Sequence, residues 1–547
     1  MTVTDASTDL ASLKATIGRR GAAHDAEALR AALQAGRLDA VDQGLAASAR
    51  RMLAANLRLS PRTGRPFLVP AEHTYGAQSW LWDLVFGAHI ARALADRATE
   101  ADEREAFMRL TFGCLSRVFE RQPTEGPERG RVAHMLFEGG VDAALWADPH
   151  ASFITQPPVF AVATKTLLDA EQQAALWPQV RAGLDWWLRC RLDDAGLPAI
   201  RHPWESGEDA ARYHDSQQLP AIAVALCLTH GVDPRPLNDV LPFDLDGALG
   251  EGDLLKLQTD NPSKKDALTK GARFVLLAAL RHQAGEGLAV SDAGRALFDV
   301  RAPSMAAHLA LDLRAGAALA EAHGDDGQRF VDAADRMVAS IIDRQCGADG
   351  WPRALGHAPS PEVVDRTLAL LGDKLSADER TRLTELLAHI DDAGRLAPRT
   401  GTAAIALGAL PAGHDVTEAM LETIRSPAFA PRFGLPTLAR DDDAFVGDDY
   451  WRGSVWINID WLTTAGLLHQ ARGWGERHAE QTRRFAETAH ALATGTLTSA
   501  VEGFYEHYHA DGEHGRGVGC GPVDFTWSGL ALLTVGQLRE AKALLGD

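Results

Sequence analysis

Apolar residues recur at three- and four-residue intervals through most of this chain. That spacing gathers them on one face of a helix, and abundant Ala, Leu, Glu and Arg favour the same conformation. The pattern predicts helices over 24–36, 41–58, 80–96, 101–121, 171–192, 326–345, 377–390 and 474–495. Three further stretches, 217–229, 304–321 and 456–470, are apolar on nearly every face, as in helices buried on more than one side. Clusters of Gly, Pro and Asp at 124–130, 193–198, 231–237 and 347–353 separate the helices. Period-two strands are scarce, with 131–137 and 397–400 as candidates.

Roughly a dozen or more helices exceed what one small bundle holds. Stacked helix pairs in a solenoid would show self-similarity at a fixed period, and the sequence shows none. Its loops carry singular aromatic and acidic motifs instead, which suits a closed toroid of paired helices with a site at one mouth. The 547 residues would by length alone suggest about three to four domains of ~150 residues. No Pro/Ser/Gly-rich linker divides them, so one catalytic domain over 1–547 is expected, with the less regular stretch 232–300 as an elaboration on the ring.

Charge narrows the partners. Against 55 basic side chains stand 74 acidic ones, a net −19, and no dense basic stripe offers itself to phosphate, so no nucleic-acid partner is expected. No run of 18 apolar residues occurs and the start, MTVTDASTDLASLKATIGRR, lacks an apolar signal core; neither a membrane span nor secretion is expected. Cys114, Cys190, Cys227, Cys346 and Cys520 are odd in number and far apart, which fits reduced, mostly buried thiols in a cytoplasmic protein.

The chemistry-bearing residues fall in a few segments. Trp80, Trp82 and Asp83 open a predicted helix just after Tyr75, where the helix dipole favours an acid and a carboxylate can accept two hydrogen bonds from vicinal hydroxyls. Gln156, before two prolines, stands at the start of another apolar helix. The segment 202–215 holds Glu205, Glu208, Asp209 and Asp215 within eleven positions, beside Trp204, Gly207 and Tyr213. Such crowding should raise at least one carboxyl pKa, as a general acid requires, and the residues alone do not choose among the four. Trp451, Arg452 and Trp456 precede a buried helix; Arg452 can form a fork to a carboxylate or to sugar hydroxyls. Glu506 lies between two aromatics in a Gly-bounded loop, followed by Trp527. His507, His509 and His514 lack a matching acidic or Cys set, so no metal is expected. Carboxylates next to flat rings suit sugars, and two carboxyl groups flanking one bond are what glycoside hydrolysis needs.

Taken together, YGAQSWLWDLVF, QPPV, HPWESGEDAARYHD, DYWRGSVWINIDWL, GFYEHYHADGEHG and DFTWSG resemble, in order and over residues 74–528, glycoside hydrolase family 63 and its relatives in the trehalase-like clan. The resemblance implies an all-α (α/α)6 barrel, inversion at the anomeric carbon, α-glucosides or α-mannosides as substrates, and neither cofactor nor metal. It assigns Asp209 as general acid and Glu506 as general base. Trp82, Asp83, Trp204, Trp451, Arg452, Trp456 and Trp527 then become walls and hydrogen-bonding groups around the cleaved sugar. Two departures stand out: Glu208 occupies a position where the family pattern commonly has an apolar residue, and His509-Ala510 replace Asn-Pro-like residues. The first could alter the pKa of Asp209 or recognition of the leaving group.

The expectation is therefore an inverting, exo-acting α-glycosidase, α-glucosidase-like, acting on a small soluble carbohydrate. Candidates implied by the resemblance are glucosylglycerate, mannosylglycerate, kojibiose- or nigerose-like disaccharides, and trehalose. An anionic aglycone would need a cation such as Arg212 or Arg452. Two other classes compete: a sugar epimerase on a helical barrel, with His202 and His214 as proton shuttles, and a non-catalytic carbohydrate-binding scaffold.

Overall fold

The computed structural model describes residues 3–138, 146, 148–248, 267–283, 297–388, 390–475 and 478–546. In chain order its longer helices are α1 (Val3–Gly18), α2 (Ala26–Gln34), α3 (Leu38–Asn56), α4 (Leu81–Arg97), α5 (Ala101–Val118), α6 (Phe160–Leu167), α7 (Ala170–Cys190), α8 (Leu219–Thr229) and α9 (Ala267–Gln283). There follow α10 (Pro303–Ala322), α11 (Gln328–Ser340), α12 (Pro361–Leu371), α13 (Ala377–Glu385), α14 (Asp415–Arg425), α15 (Ile457–Trp474), α16 (Ala479–Ala500) and α17 (Ala531–Leu545).

The contacts close a ring. α4 packs on α6, α6 on α10, α10 on a 3₁₀ helix at Gly401–Gly408, and that helix on α15. α15 meets the 3₁₀ turn Thr526–Leu530 and α17, which return to α4. Each inner element has an outer partner: α5 behind α4, α7 behind α6, α11 behind α10, α14 behind 401–408, α16 behind α15, and α3 behind the last. This is an (α/α)6 barrel. The inner helices are the ones whose sequences are apolar on most faces, because neighbours cover both flanks as well as the back. α8, α9, α12 and α13 pack chiefly on one another beside the ring. They bracket part of the predicted elaboration at 232–300, of which 249–266 and 284–296 lie outside the described residues.

Polar side chains buried among the inner helices answer specific backbone needs. Asp312 of α10 accepts from the N–H groups of Ala161 (3.0 Å) and Val162 (2.8 Å), which have no intrahelical partner in the first turn of α6. Asp460 of α15 accepts from Leu435 N–H (2.9 Å) and Thr496 Oγ1 (2.8 Å). No helix among the described residues is long and apolar enough to cross a membrane.

Three short antiparallel ribbons decorate the ring: β1 (Leu57–Leu59) with β2 (Pro66–Leu68), β3 (Gln78–Trp80) with β4 (Met135–Phe137), and β5 (Tyr505–Tyr508) with β6 (Gly519–Val523). The predicted strand at 131–137 survives as β4; 397–400 does not form one, and Thr400 makes only an isolated bridge to Leu438.

Candidate active site

The last two ribbons carry the site. β3 delivers Trp80 directly into α4, so Trp82 and Asp83 stand in the helix's first turn. Gln156 Oε1 accepts from the Trp82 backbone N–H at 3.1 Å, and Pro157 O accepts from Trp82 Nε1 at 3.2 Å. The proline-flanked glutamine thus satisfies an otherwise orphaned helix N-terminus and pins the indole.

In β5–β6 the register slips between Tyr505 and His507, which pair with Val523 and Cys520. Gly521 and Pro522 therefore oppose the single residue Glu506, a bulge that redirects its side chain. Gly521 has φ +74°, and a Cβ there would lie 2.7 Å from Glu506 Oε2, so this glycine makes room for the carboxylate. Trp527 Nε1 donates to Glu506 O at 3.0 Å and holds the strand from behind.

The acid-rich loop is a 3₁₀ turn, Pro203–Ser206, ended by Gly207 in the left-handed region at φ +75°. A Cβ on Gly207 would come within 2.7 Å of the Trp82 ring. Only glycine allows both the backbone angle and that contact.

These elements surround a cavity of about 570 Å³, part of it open to solvent. Tyr75, Trp80, Trp82, Asp83, Gln156, Gly207, Asp209, Trp451, Glu506 and Trp527, all singled out in the sequence, line it together. Asp209 and Glu506, 297 positions apart in the chain, share one hollow.

Of the four acids in the loop, three are spent elsewhere. Glu205 receives a two-pronged ion pair from Arg191 at 2.7 and 2.8 Å, plus the N–H groups of Arg201 and Thr155. Asp215 is forked by Arg452 at 2.7 and 3.0 Å and also paired with Arg212. Glu208 accepts from Ser304 Oγ and, at 2.7 Å, from Thr402 Oγ1. Asp209 alone faces the cavity.

The electrostatics follow from this division. Burial drives Asp209 up to about 7, opposed by the Arg273 guanidinium and its own backbone N–H. Burial also raises Glu506 to about 7; the Asp209 charge adds to the rise, while a hydrogen bond from Tyr450 works against it. Asp83 is lifted well above the usual carboxylate range by burial and then by Glu506 and Asp209, and its Oδ1 has no hydrogen-bond partner. Burial pushes Glu208 up to about 7 against its hydroxyl donors. For Glu205 and Asp215 burial also works upward, but their arginines overcome it and hold both below the ordinary value.

Five of the residues singled out in the sequence stand elsewhere. Trp204, Glu205, Tyr213, Arg452 and Trp456 do not line the cavity. Glu205 and Arg452 are committed to the ion pairs above, and Tyr213 is buried beside His214. Trp204 lies behind His134, ring centroids 6.5 Å apart and nearly parallel. Trp456 is fully buried, stacked on Trp451 at 4.0 Å and 7°, and packed against Trp527 and His507. It is the buttress of the wall rather than its surface. At Asp209 itself, burial, Arg273 and a backbone N–H set the shift.

Pro70, His134, Tyr450 and Phe525 complete the lining and were not singled out in the sequence. His134 belongs to no motif and arrives because its backbone O accepts from Leu81 N–H. Burial lowers it to about 3, so the ring is neutral. Tyr450 and Phe525 lie inside quoted segments; Tyr450 carries an uncommon φ of +31°, a signal no sequence displays. His202 and His214, the shuttles required by an epimerase, lie off the cavity lining. Burial lowers both, and His202 is tied to Arg273 O at 3.0 Å.

Comparison with known proteins identifies the family. Residues 76–528 match the family described as the mannosylglycerate hydrolase MGH1-like glycoside hydrolase domain. The chain is 26% identical over 492 residues to a mannosylglycerate hydrolase of Rubrobacter radiotolerans, covering 85% of this chain and 92% of that one. It is 24% identical over 530 residues to a glucosylglycerate hydrolase of Mycolicibacterium hassiacum, covering 89% and 97%. Its fold superposes with TM-score 0.59 on the crystal structure of the GH63 mannosylglycerate hydrolase from Thermus thermophilus in complex with glucose, at 21% identity over 88% of this chain and 98% of that one. With a cavity that unites the paired carboxyl groups and a family match spanning most of its length, the chain belongs to the MGH1-like glycoside hydrolases.

Proposed function

We propose that this glycoside hydrolase is an inverting, exo-acting α-glycosidase whose substrate is a small soluble α-glucoside or α-mannoside with an anionic aglycone, of the glucosylglycerate or mannosylglycerate kind. One observation carries the reading. In a loop of four acids only Asp209 lines the cavity, and the other carboxyl group raised to about 7 on the same lining is Glu506.

In this reading Asp209 carries the proton and gives it to the glycosidic oxygen as the bond to the anomeric carbon breaks. Glu506, ionised, takes a proton from a water whose oxygen bonds to that carbon from the opposite face. Inversion needs ~6.5–9.5 Å between the two carboxyl groups to seat the water. Trp82, Trp451 and Trp527 offer flat apolar surfaces to the sugar ring, and the unpartnered Oδ1 of Asp83 accepts a sugar hydroxyl. A carboxylate on the aglycone calls for a cation. Arg212 and Arg452 are both bound to Asp215, and the charge of Arg273 acts on Asp209 and Tyr450.

The test is a panel of α-glucosides and α-mannosides with the released anomer followed by NMR, using wild type, Asp209→Asn and Glu506→Gln. The β-anomer should appear first, and each variant should lose several orders of magnitude in turnover while staying folded. Initial release of the α-anomer, or a near-normal rate in either variant on the natural type of glycoside, would overturn the assignment.

A further inference from the structure

Glu208 stands next to the proposed proton donor, yet its side chain leaves the cavity. It is buried and joins two inner elements of the ring, accepting from Ser304 in the first turn of α10 and from Thr402 in the 3₁₀ helix Gly401–Gly408. Its backbone is tied as well. The Glu208 N–H donates to Ser206 Oγ at 2.9 Å, and Glu208 O accepts from Ala211 N–H at 2.9 Å. That last bond closes a turn in which Asp209 is the residue immediately after the anchor. Backbone amide, carbonyl and carboxylate of Glu208 are thus all occupied, and Asp209 rides on the corner so formed.

We infer that Glu208 is a positioning residue: its carboxyl group clamps the Asp209 turn to α10 and to the 401–408 helix, and so fixes where the proton donor meets the leaving oxygen. This rests on the reading of Asp209 as general acid. An apolar side chain at 208 could fill the space but could not hold both hydroxyls. Because a general acid works only within hydrogen-bond reach of its target, a loosened turn costs proton delivery while leaving the sugar-binding walls in place.

The experiment compares two substrates of the intact enzyme, an α-glycoside and the matching α-glycosyl fluoride. With the fluoride, the carbon–fluorine bond breaks to release fluoride ion, water supplies the new carbon–oxygen bond, and its proton goes to Glu506; no proton donor is needed. Glu208→Met should lower kcat on the glycoside at least tenfold with KM within twofold, and leave the fluoride rate within about threefold. Glu208→Gln, which keeps two polar atoms for Ser304 and Thr402, should restore most of the glycoside rate. Should Glu208→Met fail to fold, Ser304→Ala combined with Thr402→Val removes the two ring hydroxyls of the clamp, leaving only that of Tyr213 in the same loop, and should show the same selective loss. Equal loss on both substrates, no loss on either, or no rescue by Gln overturns the positioning role. Asp209→Asn serves as the reference. If it loses the glycoside and keeps the fluoride while Glu208→Met does not, Glu208 is misassigned and Asp209 stands. If Asp209→Asn keeps the glycoside, the proton-donor reading itself falls.

Discussion

Glu506→Gln should abolish turnover and at the same time make the protein more stable, by an amount that is nil at pH 4, grows as pH climbs from 4.5 and is complete by about pH 8. Glu506 is nearly buried, 7% exposed, and its carboxyl rises from 4.5 to about 7, chiefly through burial and secondarily through Asp209. That rise corresponds to about 3 kcal/mol held against the ionised form. The sign follows from linkage: an acid whose folded pKa exceeds its unfolded one contributes its full stability below the unfolded value, and loses it as pH climbs through the folded value. At pH 8 the wild type bears the whole cost; at pH 4 it bears none. Glutamine keeps the shape and an acceptor for Tyr450, but its buried NH₂ needs a partner and forfeits about 1 kcal/mol, leaving a gain of about 2 kcal/mol. Over 547 residues the unfolding entropy is on the order of 1 kcal/mol per degree, so Tm should rise by about 2 °C at pH 8. Scanning calorimetry of both proteins at pH 4 and pH 8 measures this. A Tm that is unchanged or lower at pH 8, or a gain of equal size at pH 4, refutes the argument that burial strains this carboxylate.

Glu205→Gln is the counter-case: it leaves Arg191 buried without its anion, so stability at pH 7 should fall by about 3–5 kcal/mol, read as a lower denaturant midpoint; an unchanged midpoint contradicts the ion-pair account. Gly207→Ala forces a left-handed angle of φ +75° on alanine and sets a Cβ 2.7 Å from the Trp82 ring; strain of about 1–2 kcal/mol and overpacking of about 1–3 kcal/mol should lower Tm and raise KM through the displaced indole, and wild-type values of both would sink the steric argument. If Glu506 is the base and Asp209 the acid, the pH dependence of kcat/KM should be a bell centred near 7, because one is then ionised and the other protonated while each is raised to about 7; a profile flat from pH 5 to 9 excludes that pair as the essential acid and base.

The helices were legible because each repeats one simple demand, an apolar face every three to four residues. The stretches 217–229, 304–321 and 456–470 read as doubly buried; two of them, α10 and α15, became inner elements of the ring, while α8 found its burial beside it. What escaped were elements too short to show a period. β1, β2 and β3 have three residues each, less than two alternations. Gly401–Gly408 is a 3₁₀ turn of small apolar residues that resembles filler until its two neighbours in the ring are known.

The site was legible as an inventory and illegible as a surface. Trp451 and Trp456 lie five positions apart in one segment, and which of them faces the sugar depends on backbone that follows no period: Tyr450 has φ +31° and Gly453 φ +157°. Once periodicity is broken, spacing no longer reports direction, and only the 4.0 Å stack shows that one ring backs the other. The acid loop teaches the same lesson with charge. Four carboxyl groups in eleven residues suggest that repulsion tunes the acid. Yet Arg191 neutralises Glu205, two hydroxyls hold Glu208, and Arg452 with Arg212 neutralises Asp215. Most of these partners come from distant segments, from 191 to 452. Asp209 is raised by burial, not by its neighbours. Crowded acids therefore serve here as anchors: each one spent on the scaffold removes a degree of freedom from the loop, and the one left over is the group the cavity can use.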